Sequence, residues 1–428
     1  MLPVFLLIYI ICFSQNKNIQ ENIDIENLPD FDYNQILDSL CSPEFHGRGY
    51  EFKGTEIASE YIAQKLESFK LEKYRKSYFQ EFEININILE GENFVGFDNI
   101  ELKPAEDYLI SSFSKPAKGK FKVMILDSSI INDTDKFSEF RVKDFKNSFL
   151  LIDTTGVKYK DFDYTYQMIT QKNKFKAKGI IESSKSLMYM QSGYQADFTH
   201  FTLLKNSYLQ PPDSISVNIE TRFIKSYPTR NIAAYIQGET DTCFVFSAHY
   251  DHLGHMGKSV YFPGANDNAS GVTMLLALAR YYSFLQSKPH YTIVFLFFSA
   301  EETGLNGSKY FTENPLFPLE KIKFLLNLDM VGSGDKGIQV VNGSVLKREF
   351  DILTEQNNLY HLLPHVKTRG EAANSDHYFF YEKGVRAFFI YTLGEYKEYH
   401  NIKDNPKNLP LNEFNDLFKL LIYFQKNI

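Results

Sequence analysis

Cys243-Phe244-Val245-Phe246-Ser247-Ala248 is a nearly all-apolar run that passes directly into His249-Tyr250-Asp251. A run this short and apolar on both faces reads as a strand buried on both sides, as in a sheet covered by helices. The pattern repeats outward. Asn231 to Ile236 (ending at Gly238), Tyr291 to Phe298, Ile322 to Leu328 and Arg386 to Tyr391 read as further strands. Between and after them, helices are expected from Gly271 to about Tyr282 with Ser270 as cap, near Gly307 to Thr312, around Leu346 to Gln356, over Ser375 to Glu382, and from about Asn412 to Gln425. This alternation predicts an α/β fold: a mixed, mostly parallel sheet with helices on both faces. Ligands of such sheets bind beyond the carboxyl ends of the strands.

Upstream, apolar residues at three- and four-residue spacing predict two helices between Tyr33 and about Leu71, separated by the turn Gly47-Arg48-Gly49. Residues 95–224 change character: short β-rich runs (Phe121 to Leu126, Phe149 to Ile152, Gly179 to Ile181) alternate with polar connections, which reads as a β-rich inserted domain. The organisation expected is therefore a leader over 1–14, a first part of the main domain over 15–94, the insert over 95–224, and the rest of the main domain over 225–428. Leu2 to Phe13 is an uncharged apolar run too short to span a bilayer as a helix, and Cys12-Phe13-Ser14 offers small residues at −3 and −1 of a cut before Gln15. The expectation is a cleaved signal peptide and an exported, periplasmic or secreted bacterial protein without a membrane span. Bulky Ile10 and Ile11 argue against a lipid anchor at Cys12.

The chain has 428 residues and a net charge of −7, which argues against nucleic acid as a partner. Its three cysteines, Cys12, Cys41 and Cys243, exclude a disulfide scaffold and a cysteine-based zinc ribbon; Cys41 and Cys243 read as two buried thiols rather than a pair.

Chemistry gathers just past the strand ends. His249 and Asp251 follow one strand, and the Gly-bounded loop Gly264-Ala265-Asn266-Asp267-Asn268-Ala269-Ser270-Gly271 follows them. Glu301-Glu302, Asp329 and, near the C-terminus, Tyr399-His400 come next. Nitrogen and oxygen donors without thiolate suit zinc, or cobalt or manganese, in a catalytic site with an open position. Two ions need a bridging ligand, and Asp267 in its tight loop fits that role. His249 and Asp329 would complete one ion's set, Glu302 and His400 the other's. Residues i and i+2 of an extended segment share a face, so Asp251 can hydrogen-bond the His249 ring and fix its tautomer. Adjacent Glu301 and Glu302 point in different directions, leaving one free as general base toward water.

These motifs closely resemble the two-zinc aminopeptidase family that includes bacterial leucyl aminopeptidase and aminopeptidase Y. They are His-Tyr-Asp at 249–251, the loop at 264–271, Ala-Glu-Glu-Thr-Gly at 300–304, Asn-Leu-Asp at 327–329, Ser-Asp-His at 375–377 and Tyr-His at 399–400. The resemblance implies a zinc exopeptidase fold and two Zn2+ per chain. It also implies peptide substrates with a free N-terminus, the five ligands His249, Asp267, Glu302, Asp329 and His400, Glu301 as base and Asp251 as orienter. Tyr399 is implied as a hydrogen-bond donor to the oxyanion, and the 95–224 insert looks like a protease-associated domain. Other exopeptidase specificity (carboxypeptidase or dipeptidase) and a glutaminyl cyclase-like acyltransferase are the competing readings.

Asp376 opens a helix, where a terminus role competes with lining the substrate pocket. His252 and His255 are expected outside the ligand set. His361 and His365 carry helical spacing, but Pro364 interrupts them and Leu362 stands where a metalloprotease helix needs Glu. Asn268-Ala269-Ser270 forms a glycosylation sequon whose glycan would sit against the bridging ligand, so it is expected to stay unused.

Overall fold

The apolar strands assemble in a computed structural model that describes residues 31–97, 100–158, 162–208 and 210–428. The expected leader lies outside the described residues. Five strands build the centre of the main sheet: β1 (Arg222–Ile236), β2 (Thr240–His249), β3 (Tyr291–Phe298), β4 (Ile322–Leu328) and β5 (Ala387–Thr392). The order across the sheet is Glu72–Lys73, β1, β3, β2, β4, β5, Ile338–Val341, Val366–Thr368, and Phe79–Ile88 also pairs with β1. β3, β2, β4 and β5 run parallel, while β1 and Ile338–Val341 are antiparallel to their inner neighbours.

Period-two alternation sends successive side chains to opposite faces. On one face Phe244, Phe246, Phe295, Phe324 and Phe388 pack with Tyr282 of the helix Gly271–Ser283 and Phe424 of the helix Phe414–Asn427, with ring centroids 4.9–6.4 Å apart. On the other, Val245, Val294, Leu296, Phe298 and Leu325 bury against Phe311 and Phe380, from the helices Asn306–Glu313 and His377–Glu382. Burying each such side chain contributes about 1.5–3 kcal/mol. Phenylalanine thus fills the large core positions that Trp would take elsewhere.

The boundaries move where a neighbouring segment offers more pairing than the local pattern records. β1 begins at Arg222, nine residues before the Asn231 expected, because its first half pairs with Phe79–Ile88, a strand not anticipated. Ser270 is not the side-chain cap of the helix that follows it. Its hydroxyl donates to the Asn266 carbonyl (2.7 Å), and the Gly271 N–H goes to Asn268 Oδ1 (2.9 Å). Cys41 and Cys243 are both free and buried. His361 ends the helix Lys347–Tyr360 in a left-handed conformation, so it and His365 do not share a helix face.

A second, eight-stranded sheet takes its strands from Phe94 to Ile219 and mixes parallel and antiparallel pairs. Its core includes Val95, Tyr108, Phe149, Ile181 and Phe201, and it is completed by Leu253, Met256 and Phe262 from the loop after β2. Residues Asp32–Ile428 accordingly pack as one unit.

Glu51 is fully buried where these parts meet. Its carboxylate accepts the N–H groups of Leu89 (3.4 Å) and His255 (3.3 Å). Burial pushes its pKa up to about 7, which the backbone donors only partly offset. Between the unfolded value of 4.5 and about 7 the folded chain holds a proton that the unfolded chain has lost, so this group's contribution to stability falls as pH rises through that window. Glu51→Gln cannot charge, and should gain on the parent by up to about 3 kcal/mol between pH 5 and pH 8. Urea unfolding at the two pH values checks this, and identical pH dependence of the two chains would refute it.

Candidate metal centre

Strand register sets the level of the site. Within the sheet His249 is paired with Phe298, and Ser247 with Asn327. Past those points β3 runs into Glu301-Glu302, β4 into Asp329, and the chain after β5 returns with His400. All lie at the carboxyl edge of the parallel strands, where the fold type places ligands.

The side chains converge there. His249 Nε2 lies 3.3 Å from Asp267 Oδ1 and 3.3 Å from Asp329 Oδ1. On the other side of Asp267, His400 Nε2 lies 3.1 Å from Oδ2 and 3.2 Å from Glu302 Oε2. The two oxygens of Asp267 therefore face two different histidines. Donor atoms of His249, Asp267 and Asp329 fall within 4.8 Å of one another, as do those of His249, Glu301 and Glu302 and those of His252, Asp267 and Glu302.

Electrostatics describe a cluster short of positive charge. Burial alone would raise the Asp267 pKa, but hydrogen bonds from His249 and His400 hold it well below the usual carboxylate range. Glu302 behaves similarly: burial and the Asp267 charge oppose ionisation, yet His400 and the His252 hydrogen bond bring it to about 2. Burial disfavours a charged imidazole, but Glu302 and Asp267 outweigh it and lift His400 to about 11; His249 is likewise raised, against burial, chiefly by Asp329 and Glu301. Imidazole protons thus supply the cationic charge that the carboxylates require. Divalent cations on the same nitrogen and oxygen donors would supply it instead, so the residues present fit zinc.

Glu301 is only partly buried, and its pKa is pushed well up, first by desolvation and then, against the pull of His249, by Glu302, Asp329 and Asp376. Asp251 is fully buried. Its Oδ1 is 3.7 Å from His249 Nδ1, whereas its backbone carbonyl is 3.1 Å away, because β2 ends at His249 and the next residues leave the strand geometry that would align i with i+2. The carboxylate instead accepts the N–H groups of Glu301 (3.2 Å) and Glu302 (3.3 Å) and the Tyr50 hydroxyl (3.3 Å). Asp251 therefore anchors the loop that carries both glutamates. Tyr399 is 41% exposed, with its ring stacked on His400 at 3.8 Å. Burial and then the nearby acids keep its phenol protonated. Asp376, for which a helix-terminus role competes with lining a substrate pocket, has no accessible surface and stands at the N-cap of the helix His377–Glu382 without a side-chain cap bond.

The sequence reading assigns no role to several contributors. Buried His252 Nδ1 lies 2.7 Å from Glu302 Oε1, leaving Oε2 for His400. A buried chain runs from the Ser247 hydroxyl to Asn327 Oδ1 (2.8 Å), from Asn327 Nδ2 to Ser375 Oγ (2.8 Å) and from the Ser375 hydroxyl to Asp329 Oδ2 (2.7 Å), aiming the other Asp329 oxygen at His249. Arg48 and Asp404 bracket the Asp267 loop. The Gly47-Arg48-Gly49 turn hints at this, since a Cβ on Gly49 would come 2.2 Å from the Gly254 Cα. The second sheet also reaches the site: the Tyr189 N–H donates to the His400 carbonyl (3.0 Å), and Gln191 bonds the Leu253 carbonyl.

Residues 231–425 match the model of peptidase family M28. The chain is 33% identical over 176 residues to the vacuolar membrane protease of Kluyveromyces lactis, covering 41% of this chain and 16% of that protein. It is 34% identical over 172 residues to leucine aminopeptidase 1 of Trichophyton rubrum, covering 36% of this chain and 45% of the relative. The chain thus spans less than half the length of these relatives. The fold as a whole resembles that of a solved zinc aminopeptidase from Bacillus subtilis: TM-score 0.68 at 18% identity, covering 92% of this chain and 93% of that one.

Ser375→Ala would leave Asn327 Nδ2 and Asp329 Oδ2 without their buried partner. The expected cost is about 1–3 kcal/mol in unfolding free energy. An unchanged denaturation midpoint would show that the chain of bonds is not needed.

Proposed function

We propose that the protein is a metallo-aminopeptidase that binds two zinc ions and removes N-terminal residues from peptides. The observation that carries this is the bridging posture of Asp267, with one oxygen toward His249 and the other toward His400. On this reading His249 and Asp329 complete one position and Glu302 and His400 the other. Ions held there supply Lewis acidity, polarising a carbonyl, acidifying water and accepting a free α-amine.

The protein's own groups do the rest. Glu301, partly exposed and of raised basicity, takes the proton of the attacking water and returns it to the leaving amine. Asp251 fixes the Glu301 and Glu302 amides, so the base and its ligand neighbour keep separate directions. The protonated Tyr399 phenol donates to the carbonyl oxygen as it gains charge. Asp376, buried and near enough to push the Glu301 pKa up, supports its basicity. We read the sheet formed between Phe94 and Ile219 as a protease-associated-like insert and the leader as an export signal.

Hydrolysis of aminoacyl nitroanilides, lost on chelation and restored by zinc, is the expected result; cleavage of N-acetylated peptides instead would turn the reading toward a carboxypeptidase. Glu301→Gln should lower kcat by about a hundredfold or more while leaving bound zinc unchanged, as measured by metal analysis. Retained turnover would remove Glu301 from the role of base.

A further inference from the structure

A carboxylate that serves two cation positions has to be held against both, and Asp267 sits on a loop. Two buried, oppositely charged side chains grip the backbone of that loop from different sides. Arg48, with no accessible surface, donates from Nη1 to the Pro263 carbonyl (2.7 Å), and from Nη2 to the carbonyls of Gly264 (2.7 Å) and Asp267 (3.3 Å). Its Nε donates to the carbonyl of Tyr250 (3.0 Å), the residue next to His249, and Nη1 also reaches the Leu40 carbonyl (2.9 Å). Asp404, equally buried, accepts the N–H of Asn266 on Oδ1 (2.8 Å) and that of Asp267 on Oδ2 (3.1 Å), and its own carbonyl accepts the Ala265 N–H (3.1 Å). Asp404 follows His400 in the same loop, and the Tyr396 hydroxyl steadies it at 2.9 Å. The loop's carbonyls therefore face a cation and its amides face an anion.

The partners on the far side of each grip differ. Arg48 joins the Asp267 loop to the strand end that carries His249. Asp404 joins it to the loop that carries His400. We propose that Arg48 and Asp404 are positioning residues acting as two separate clamps, each indexing Asp267 to one histidine and so setting the affinity of one cation position. The inference rests on the two-ion reading given above. It assigns the clamps opposite partners: Arg48 governs the position of His249 and Asp329, Asp404 that of His400 and Glu302.

The test is zinc binding by the full chain, titrated in competition with a chromophoric chelator, with thermal unfolding of the metal-free chain recorded alongside. Asp404→Asn keeps the shape but turns an NH2 group toward a backbone N–H. It should weaken one of two zinc equivalents by about tenfold or more and leave the other unchanged. Arg48→Lys keeps the charge but cannot span both the loop and Tyr250, and should weaken the other equivalent. Backgrounds with one position removed make the assignment. In His400→Ala the Asp404→Asn change should not alter the remaining affinity, and in His249→Ala it should. Arg48→Lys should show the reverse. Tyr396→Phe, which removes a single hydroxyl, should follow the Asp404→Asn pattern with a smaller shift and carries the test if that chain does not fold. Equal weakening of both equivalents, the same effect in both backgrounds, or no effect would overturn the clamps, since a merely structural role lowers both affinities together. Fewer than two equivalents on the unaltered chain would instead overturn the two-ion reading, and the clamp assignment with it.

Discussion

Carboxylates buried beside one another repel, and each loses solvation; Asp251, Asp267, Glu302 and Asp329 accept that condition at the ends of neighbouring strands. Three histidines, His249, His252 and His400, meet that condition from within the cluster, and other oxygens are taken up by backbone amides, Ser375 and Tyr50. The surrounding architecture can be understood as the apparatus that keeps these groups together: a parallel sheet that delivers His249, Glu302 and Asp329 at one level, phenylalanine-rich layers that pack on it, and a buried polar chain that aims Asp329. Mutual repulsion is also what makes the cluster receptive to cations, because it is relieved only by positive charge.

The chain turned this apparatus into a site by supplying residues from distant segments. Parallel strands contribute His249, the two glutamates and Asp329 by register alone. His400 and Asp267 lie on loops, which have no register, and loops need other anchors. The connection between two strands of the second sheet, Gly179–Ser184 and Thr199–Leu204, supplies one through the Tyr189 contact with the His400 carbonyl.

How much was legible in the sequence follows from the range of each interaction. The strands Tyr291–Phe298 and Ile322–Leu328 were readable to the residue because burial on both faces leaves an apolar run bounded by polar turns. The convergence of His249, Glu302 and Asp329 was readable because parallel strand ends lie together, and that of Asp267 and His400 from the Gly-bounded loop and the motifs around them. Phe79–Ile88 was not: its alternation is diluted by Glu81, Glu83 and Asn85, and only pairing with β1 makes it a strand. The inward position of Asp376 and the nearest partners of Asp251 depend on where a strand or helix stops, which local pattern fixes poorly. Arg48 and Asp404 act on backbone atoms of a remote loop, and backbone atoms leave no mark on composition or spacing.

The Arg48 contact with Gly264 spans 216 positions, and Asp404 closes on the same loop from the far end of the chain. The loop that carries Asp267 is therefore held by side chains remote from it in sequence on both sides. Contacts of such separation form late in folding. Alignment of the cluster is in this way tied to the long-range folding of Asp32–Ile428 as one unit rather than to any one segment.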